Sequence, residues 1–147
     1  MKIFIDGDGS PTKKETIEIA KKYDLPVVLV TSFDHFSKQA TPDHVETVYV
    51  DRGADAADFK ILSLILPGDI VVTQDYGLAS LAIAKSTVIH HSGMIYTEMN
   101  IDQLLSQRYA GQQMRKAKKR TKGPKPFTDE DRMHFIQVLE NIIQSRL

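Results

Sequence analysis

Cysteine is absent from all 147 residues, which excludes disulfides, thiolate zinc sites and a cysteine nucleophile and fits a reducing compartment. No apolar run reaches the length of about 18 residues that a membrane-spanning helix needs. The start lacks the basic segment and long apolar stretch of a secretory signal. A soluble, cytoplasmic protein with no membrane partner is the expectation. Net charge is missing too, at +0, but the balance hides a dipole. Residues 1–102 carry 9 basic and 15 acidic residues, a net −6, and residues 103–147 carry 10 and 4, a net +6. Such asymmetry suits an anionic polymer gripped beside a metal centre. It equally suits two surfaces that attract each other within the fold or across a homo-oligomer.

What is present begins with Lys2-Ile3-Phe4-Ile5-Asp6-Gly7-Asp8-Gly9-Ser10-Pro11, a short apolar run that reads as a buried strand and stops at two aspartates one residue apart. Side chains alternate along an extended chain, so Asp6 and Asp8 can project the same way. Thr12-Lys13-Lys14-Glu15 has the pattern of a capping box, and Ile17, Ala20 and Tyr23 keep a helical period. Val27 to Thr31 is β-branched throughout except for Leu29, as in a strand buried on both faces. Ser32 to His44 is a long polar connection.

Val45 to Val50 alternates as a strand nearer the edge does. Gly53-Ala54-Asp55-Ala56-Ala57-Asp58 opens a helix with Ala57, Ile61, Leu64 and Ile65 on its apolar face. Asp69 to Thr73 is a fourth strand, with Asp75 two residues beyond it. Leu78, Leu81 and Ala82 supply a helix, and Thr87 to His90 a fifth strand. This order predicts an α/β fold: a single three-layer domain with a mostly parallel five-stranded sheet, helices on both faces and right-handed crossovers.

Additional helices follow towards the C-terminus. One starts by side-chain capping at Asn100-Ile101-Asp102-Gln103, with Ile101, Leu104, Leu105 and Tyr109 inward. Residues 113–127 read as a basic linker, since Arg115 to Pro126 holds seven basic residues in twelve and no acid. Residues 128–147 read as a docking helix, capped by Thr128-Asp129-Glu130-Asp131 and apolar at Phe135, Val138, Leu139, Ile142 and Ile143. The domain is expected to run from residue 1 to 147.

In an open parallel sheet, ligands collect outside the carboxyl ends of the strands, where strand order reverses. Asp6, Asp8, Asp55, Asp58 and Asp75 can all reach that edge. Two carboxylates about 6 Å apart repel by roughly 3 kcal/mol at an effective dielectric near 20, so a convergent set calls for a cation. All-oxygen donors point to Mg²⁺ or Mn²⁺, one or two ions, and few histidines and no cysteine count against zinc. Plainer roles exist: Asp55, Asp58 and Asp75 are each placed to cap a helix. Ser10 and Thr73 are candidate ligand-orienting or phosphate-binding hydroxyls, or simply cap and strand-end residues. Arg115, Lys118, Lys119, Arg120 and Lys122 are candidate phosphate contacts, or a solvated face. His90 and His91 follow the fifth strand near the same edge.

Asp6-Gly7-Asp8 with Pro11, Gly53 to Asp58, and Gly68-Asp69-Ile70-Val71-Val72-Thr73-Gln74-Asp75-Tyr76-Gly77-Leu78-Ala79 resemble the YaiI/YqxD family of uncharacterised bacterial proteins, as do Gly123-Pro124 and Asp131-Arg132 to Phe135. The resemblance implies a PIN-like nuclease fold whose acidic sheet edge binds Mg²⁺ or Mn²⁺, and it singles out the same five aspartates. Gly9-Ser10 stands where the family usually has Ala-Cys, and His91-Ser92-Gly93 where Asn-Pro-Arg-Gly is common.

Three functions compete. In a metal-dependent phosphodiesterase acting on RNA, Asp6 and Asp75 hold the main ion, Asp8, Asp55 and Asp58 complete the shell or position water, and the basic run holds the backbone. In a haloacid-dehalogenase-type phosphatase Asp6 is the nucleophile, but Tyr76 to Thr97 offers no later acidic pair. In a non-catalytic RNA-binding or interaction module, the fold is kept, with or without a metal.

Overall fold

The computed structural model describes residues 1–33, 41–51, 53, 55–116 and 126–147. The chain runs β1 (Ile3–Asp6), α1 (Lys13–Lys22), β2 (Val27–Ser32), β3 (Val45–Val50), α2 (Ala56–Leu64), β4 (Ile70–Val72), α3 (Tyr76–Ala82), β5 (Thr87–Ile89), α4 (Glu98–Lys116) and α5 (Asp129–Gln144). The five strands form one sheet in the order β3-β2-β1-β4-β5, and every pairing is parallel. Strand β1 is central: Ile3 to Asp6 register with Val27 to Val30 on one side, and Ile3 to Ile5 with Ile70 to Val72 on the other.

Alternation divides the apolar residues into two cores, one on each face. Ile3, Ile5, Val27, Leu29, Ile70, Val72 and Ile89 pack with Ile19 and Ala20 of α1 and with Phe135, Leu139, Ile142 and Ile143 of α5. Phe4, Val28, Val30, Val71 and Val88 pack with Ile61 and Ile65, with Leu78, Ala79 and Ala82 of α3, and with Tyr96 and Ile101. Asp6 follows the parity of Phe4, which aims it towards the α2/α3 side. From β1 the chain steps outward to β2 and β3. It then crosses to β4 on the far side of β1, so strand order reverses between β1 and β4. Helix α1 covers one face and α2 and α3 the other, as crossovers of a single hand require when the direction of winding changes.

Several local expectations are corrected. Thr12 is the residue before α1, but its side chain caps nothing; its Oγ1 is buried without a hydrogen-bond partner. Glu15 pairs instead with Arg132 of α5, which also donates to the Pro11 carbonyl at 3.1 Å. In α2 Ile61 is buried, as is Ile65 just past its end, whereas Leu64 is exposed. Helix α4 begins at Glu98, before Asn100. Thr97 and Asn100 cap it reciprocally, backbone N–H to side-chain oxygen at 2.8 and 3.2 Å. Leu105 and Tyr109 do not turn inward, because α4 has 19 residues, about 28 Å, and its neighbour α3 has 7. Residues 113–116 of the expected linker continue α4; 117–125, and 34–40 of the connection after β2, lie outside the described residues.

The expected docking helix is present. Thr128 and Asp131 complete its capping box, and Phe135, fully buried, anchors it. Phe135→Ala is expected to lower unfolding free energy by about 3–5 kcal/mol, against a change within about 0.5 kcal/mol for the exposed Met133→Ala, measured by urea denaturation. Equal effects would mean that α5 is not docked.

Candidate functional site

At the reversal of strand order, β1 ends in Asp6 and runs into a turn that Gly7 makes feasible. A Cβ there would stand 2.7 Å from Leu29 Cδ1 and 3.1 Å from the Val30 carbonyl oxygen. The Gly7 N–H continues the ladder to that oxygen at 2.8 Å. Asp8 is thereby delivered beside β2, where its Oδ1 accepts from Thr31 Oγ1 at 2.7 Å and from the Ser32 N–H at 3.2 Å. Asp6 Oδ2 accepts from Thr73 Oγ1 at 2.9 Å. The same hydroxyl oxygen accepts from the Asp75 N–H at 3.0 Å, so Thr73 brackets the two acids that flank the reversal. The Thr73 carbonyl is in turn held by the Tyr96 hydroxyl at 3.2 Å.

These elements enclose a cleft of about 450 Å³ lined by Asp6, Asp8, Asp51, Asp58 and Asp75, with Gln74 and Tyr76 at its side. No lysine or arginine lines it among the described residues. Asp58 stands on the first turn of α2. Asp75 is the cap of α3, its Oδ1 accepting from the Leu78 N–H at 3.1 Å. Asp55 precedes α2 without a side-chain cap bond and lines an adjoining cavity of about 290 Å³ with Asp58 and Asp75.

The electrostatic consequence falls chiefly on Asp58. Burial, then the charges of Asp75, Asp6 and Asp55, and lastly a carboxyl contact with Asp75 push its carboxyl up from the ordinary 3.8 to about 7. Asp6 is also raised, by burial first and then by Asp75 and Asp8, against the lowering pull of the Thr73 hydrogen bond. The cleft therefore disfavours its own full ionisation. Among the described residues, no three acidic or histidine side chains already stand close enough to grip an ion. The donor chemistry is nonetheless that of a hard divalent cation, carboxylate oxygen throughout.

The remaining predicted residues lie elsewhere. Thr73 is buried under the cleft. Ser10 faces the α1 side, in a cavity with Lys13, Lys14 and Pro42, and its Oγ is buried without a hydrogen-bond partner. Arg115 belongs to α4, and Lys118, Lys119, Arg120 and Lys122 lie outside the described residues. Sequence reasoning missed Asp51 and Ser32. The available signal was the rule already applied to β1: β2 ends in Ser32 and Asp51 directly follows β3, both at the carboxyl edge.

Fold and cleft together define a three-layer α/β domain with an acid-lined crevice at its topological switch point. The chain belongs to the family described as uncharacterised BCR, YaiI/YqxD, which it matches over residues 4–145. It is 56% identical over 148 residues to a UPF0178 protein of Enterococcus faecalis, covering 100% of both chains. It is 54% identical over 144 residues to a UPF0178 protein of Bacillus cereus, covering 97% of this chain and 99% of that one. A UPF0178 protein of Oceanobacillus iheyensis is 55% identical over 139 residues, covering 94% and 95%. No solved structure matches significantly. Among the described residues no helix is long and apolar enough to cross a membrane.

A raised carboxyl binds its proton more tightly folded than unfolded. The stability Asp58 contributes is thus fully present below its ordinary 3.8 and is lost as pH rises through about 7. In EDTA, melting temperature should fall between about pH 4 and 7 and level off above. Asp58→Asn should flatten that fall and melt higher at the alkaline end, as read by differential scanning fluorimetry. An unchanged pH profile would disprove the charge coupling.

Proposed function

We propose that this protein is a nuclease-like phosphodiesterase of PIN-like type that acts on RNA with Mg²⁺ or Mn²⁺ held in the acidic cleft. One observation carries the proposal: Asp6, Asp51, Asp58 and Asp75 line a single crevice at the strand reversal, and burial with the charges of its neighbours raises the carboxyl of Asp58 to about 7. Such a site is costly to keep unless its occupant is positive. The plainer role, helix capping, accounts for one oxygen of Asp75 and leaves Asp6, Asp51 and Asp58 unexplained.

Asp6 and Asp75 would hold the ion, spaced by Thr73. Asp58 would complete the shell or position the attacking water, and Asp8, tied to Thr31 and Ser32, would fix the opposite wall. Asp55 stands one step outside the cleft, as an outer charge. When bound, the ion supplies charge neutralisation at the scissile phosphate and a more acidic water. The basic stretch from Arg115 to Lys125 would supply backbone contacts and long-range attraction. Among the described residues no acidic group from beyond α3 lines the cleft, where an aspartyl-phosphate scheme wants a further acidic pair, so the phosphatase ranks below.

Asp6→Asn should reduce cleavage of single-stranded RNA in Mn²⁺ by about 10²-fold or more, the loss expected when several kcal/mol of metal-borne stabilisation goes. RNA binding, followed by fluorescence anisotropy, should be retained. Wild-type cleavage by the variant would refute metal catalysis here, and release of phosphate from small phosphomonoesters would favour the phosphatase. Lys118→Glu with Lys119→Glu should weaken RNA binding and flatten its dependence on salt; unchanged binding would leave that stretch as solvated surface.

A further inference from the structure

Beside the acidic cleft, and sharing Gln74 and Tyr76 with it, lies a second cavity of about 640 Å³. That volume is within the range of about 300–1,000 Å³ typical of small-ligand sites. Its walls differ sharply from those of the cleft. Tyr76, His90, His91 and Phe127 line it, and the rings brace one another. His90 and His91 stand 3.9 Å apart at 33°, and His91 meets Phe127 edge-on at 5.2 Å. The Arg132 guanidinium lies 5.0 Å from the Phe127 ring centroid. Tyr76 is braced edge-on by Tyr96 at 6.2 Å.

The polar groups exclude an anion and suit a flat neutral heterocycle. No lysine or arginine lines the cavity among the described residues, and the Asp131 carboxylate does. Burial lowers both histidines, His90 to about 4 with help from His91, so both rings are neutral near pH 7. The Ser92 N–H donates to His90 Nδ1 at 3.1 Å. The Ser92 hydroxyl lies 2.8 Å from the same nitrogen, donating or accepting with the tautomer; with Nδ1 accepting, the ring proton sits on Nε2. Donor, acceptor and amide are thus all present: His90 Nε2–H, the Asp131 carboxylate and the Gln74 side chain. Gly9 keeps that amide close, since a Cβ at position 9 would stand 3.2 Å from Gln74 Nε2.

We propose that the cavity walled by Tyr76, His91 and Phe127 is a nucleobase subsite that stacks one base of the RNA next to the phosphate in the acidic cleft. The phosphate's position rests on the phosphodiesterase proposal; the base's position does not. Aromatic platforms hold bases by stacking and tolerate sequence, because every base presents a π-face. Shared walls at Gln74 and Tyr76 put base and phosphate on neighbouring sites of one strand.

The test uses the full chain in EDTA, with adenosine and ribose 5-phosphate as probes, and follows the Cε1–H resonances of His90 and His91 by NMR. Adenosine should shift them saturably, ribose 5-phosphate should not, and His91→Ala should weaken adenosine binding about tenfold, read at His90. Phe127→Leu, which keeps the bulk and loses the ring, gives a second reading should His91→Ala misfold. No saturable shift with adenosine, or an equal shift with ribose 5-phosphate, overturns the subsite. In Mn²⁺, RNA should be cleaved faster than an abasic oligoribonucleotide, and His91→Ala should erase the difference. If neither polymer is cleaved while adenosine binds through His91, the phosphodiesterase proposal falls and the subsite stands. If both are cleaved alike and adenosine does not bind, the subsite falls and the phosphodiesterase remains.

Discussion

The structure turns on a conflict at the end of its central strand: a carboxylate is placed where the sheet has removed most of the water and two more acids face it. Strand β1 is paired on both edges and Ile3 to Ile5 are fully buried, so the chain leaves the sheet only at Asp6. Burial raises that carboxyl, and Asp75 and Asp8 raise it further. The Thr73 hydroxyl opposes them at 2.9 Å. That hydrogen bond has a charged acceptor, the kind worth about 1.5–3 kcal/mol; it counts for more than either neighbouring charge but does not outweigh burial and the two charges together. The excess appears as the proton that Asp58 retains to about pH 7.

Asp69 shows what a purely structural aspartate looks like in the same sheet. It is buried, yet its Oδ1 accepts from the Lys2 N–H at 2.9 Å and its Oδ2 from the Leu66 N–H at 2.8 Å. Both oxygens are engaged by backbone, and the residue ties the start of β4 to the start of β1. Asp6, at the opposite end of the same strands, has a hydroxyl on one oxygen and like charge around it. The two ends of the sheet thus use the same side chain for opposite purposes, and the polarity of the strands decides which end is the site.

Where a residue's environment is set by its own strand or helix, the sequence was legible. The β-branched runs, the terminal aspartates of β1 and the Thr128 cap with its apolar stripe each declare themselves within a few residues. Legibility failed wherever a distant partner took over. Glu15 has the spacing of a capping box with Thr12, but Arg132, 117 positions away, claims it. Leu105 and Tyr109 keep a helical period with Ile101, but α4 outruns the helix it packs on. Asp51 follows an edge strand alone, without the second acid that made Asp6-Gly7-Asp8 conspicuous. Ser10 sits two residues from Asp8, yet the turn at Gly9, with φ of +76°, carries it to the other face.

An acid-lined cleft repels a polyanion, so under the proposed function attraction at long range would have to come from elsewhere, and the net +6 of residues 103–147 would supply it. No described basic side chain lines the cleft itself. The aromatic cavity, taking a base as proposed, would add grip that depends on neither charge nor metal. The wall that the two cavities share at Gln74 and Tyr76 would then fix the distance between backbone and base.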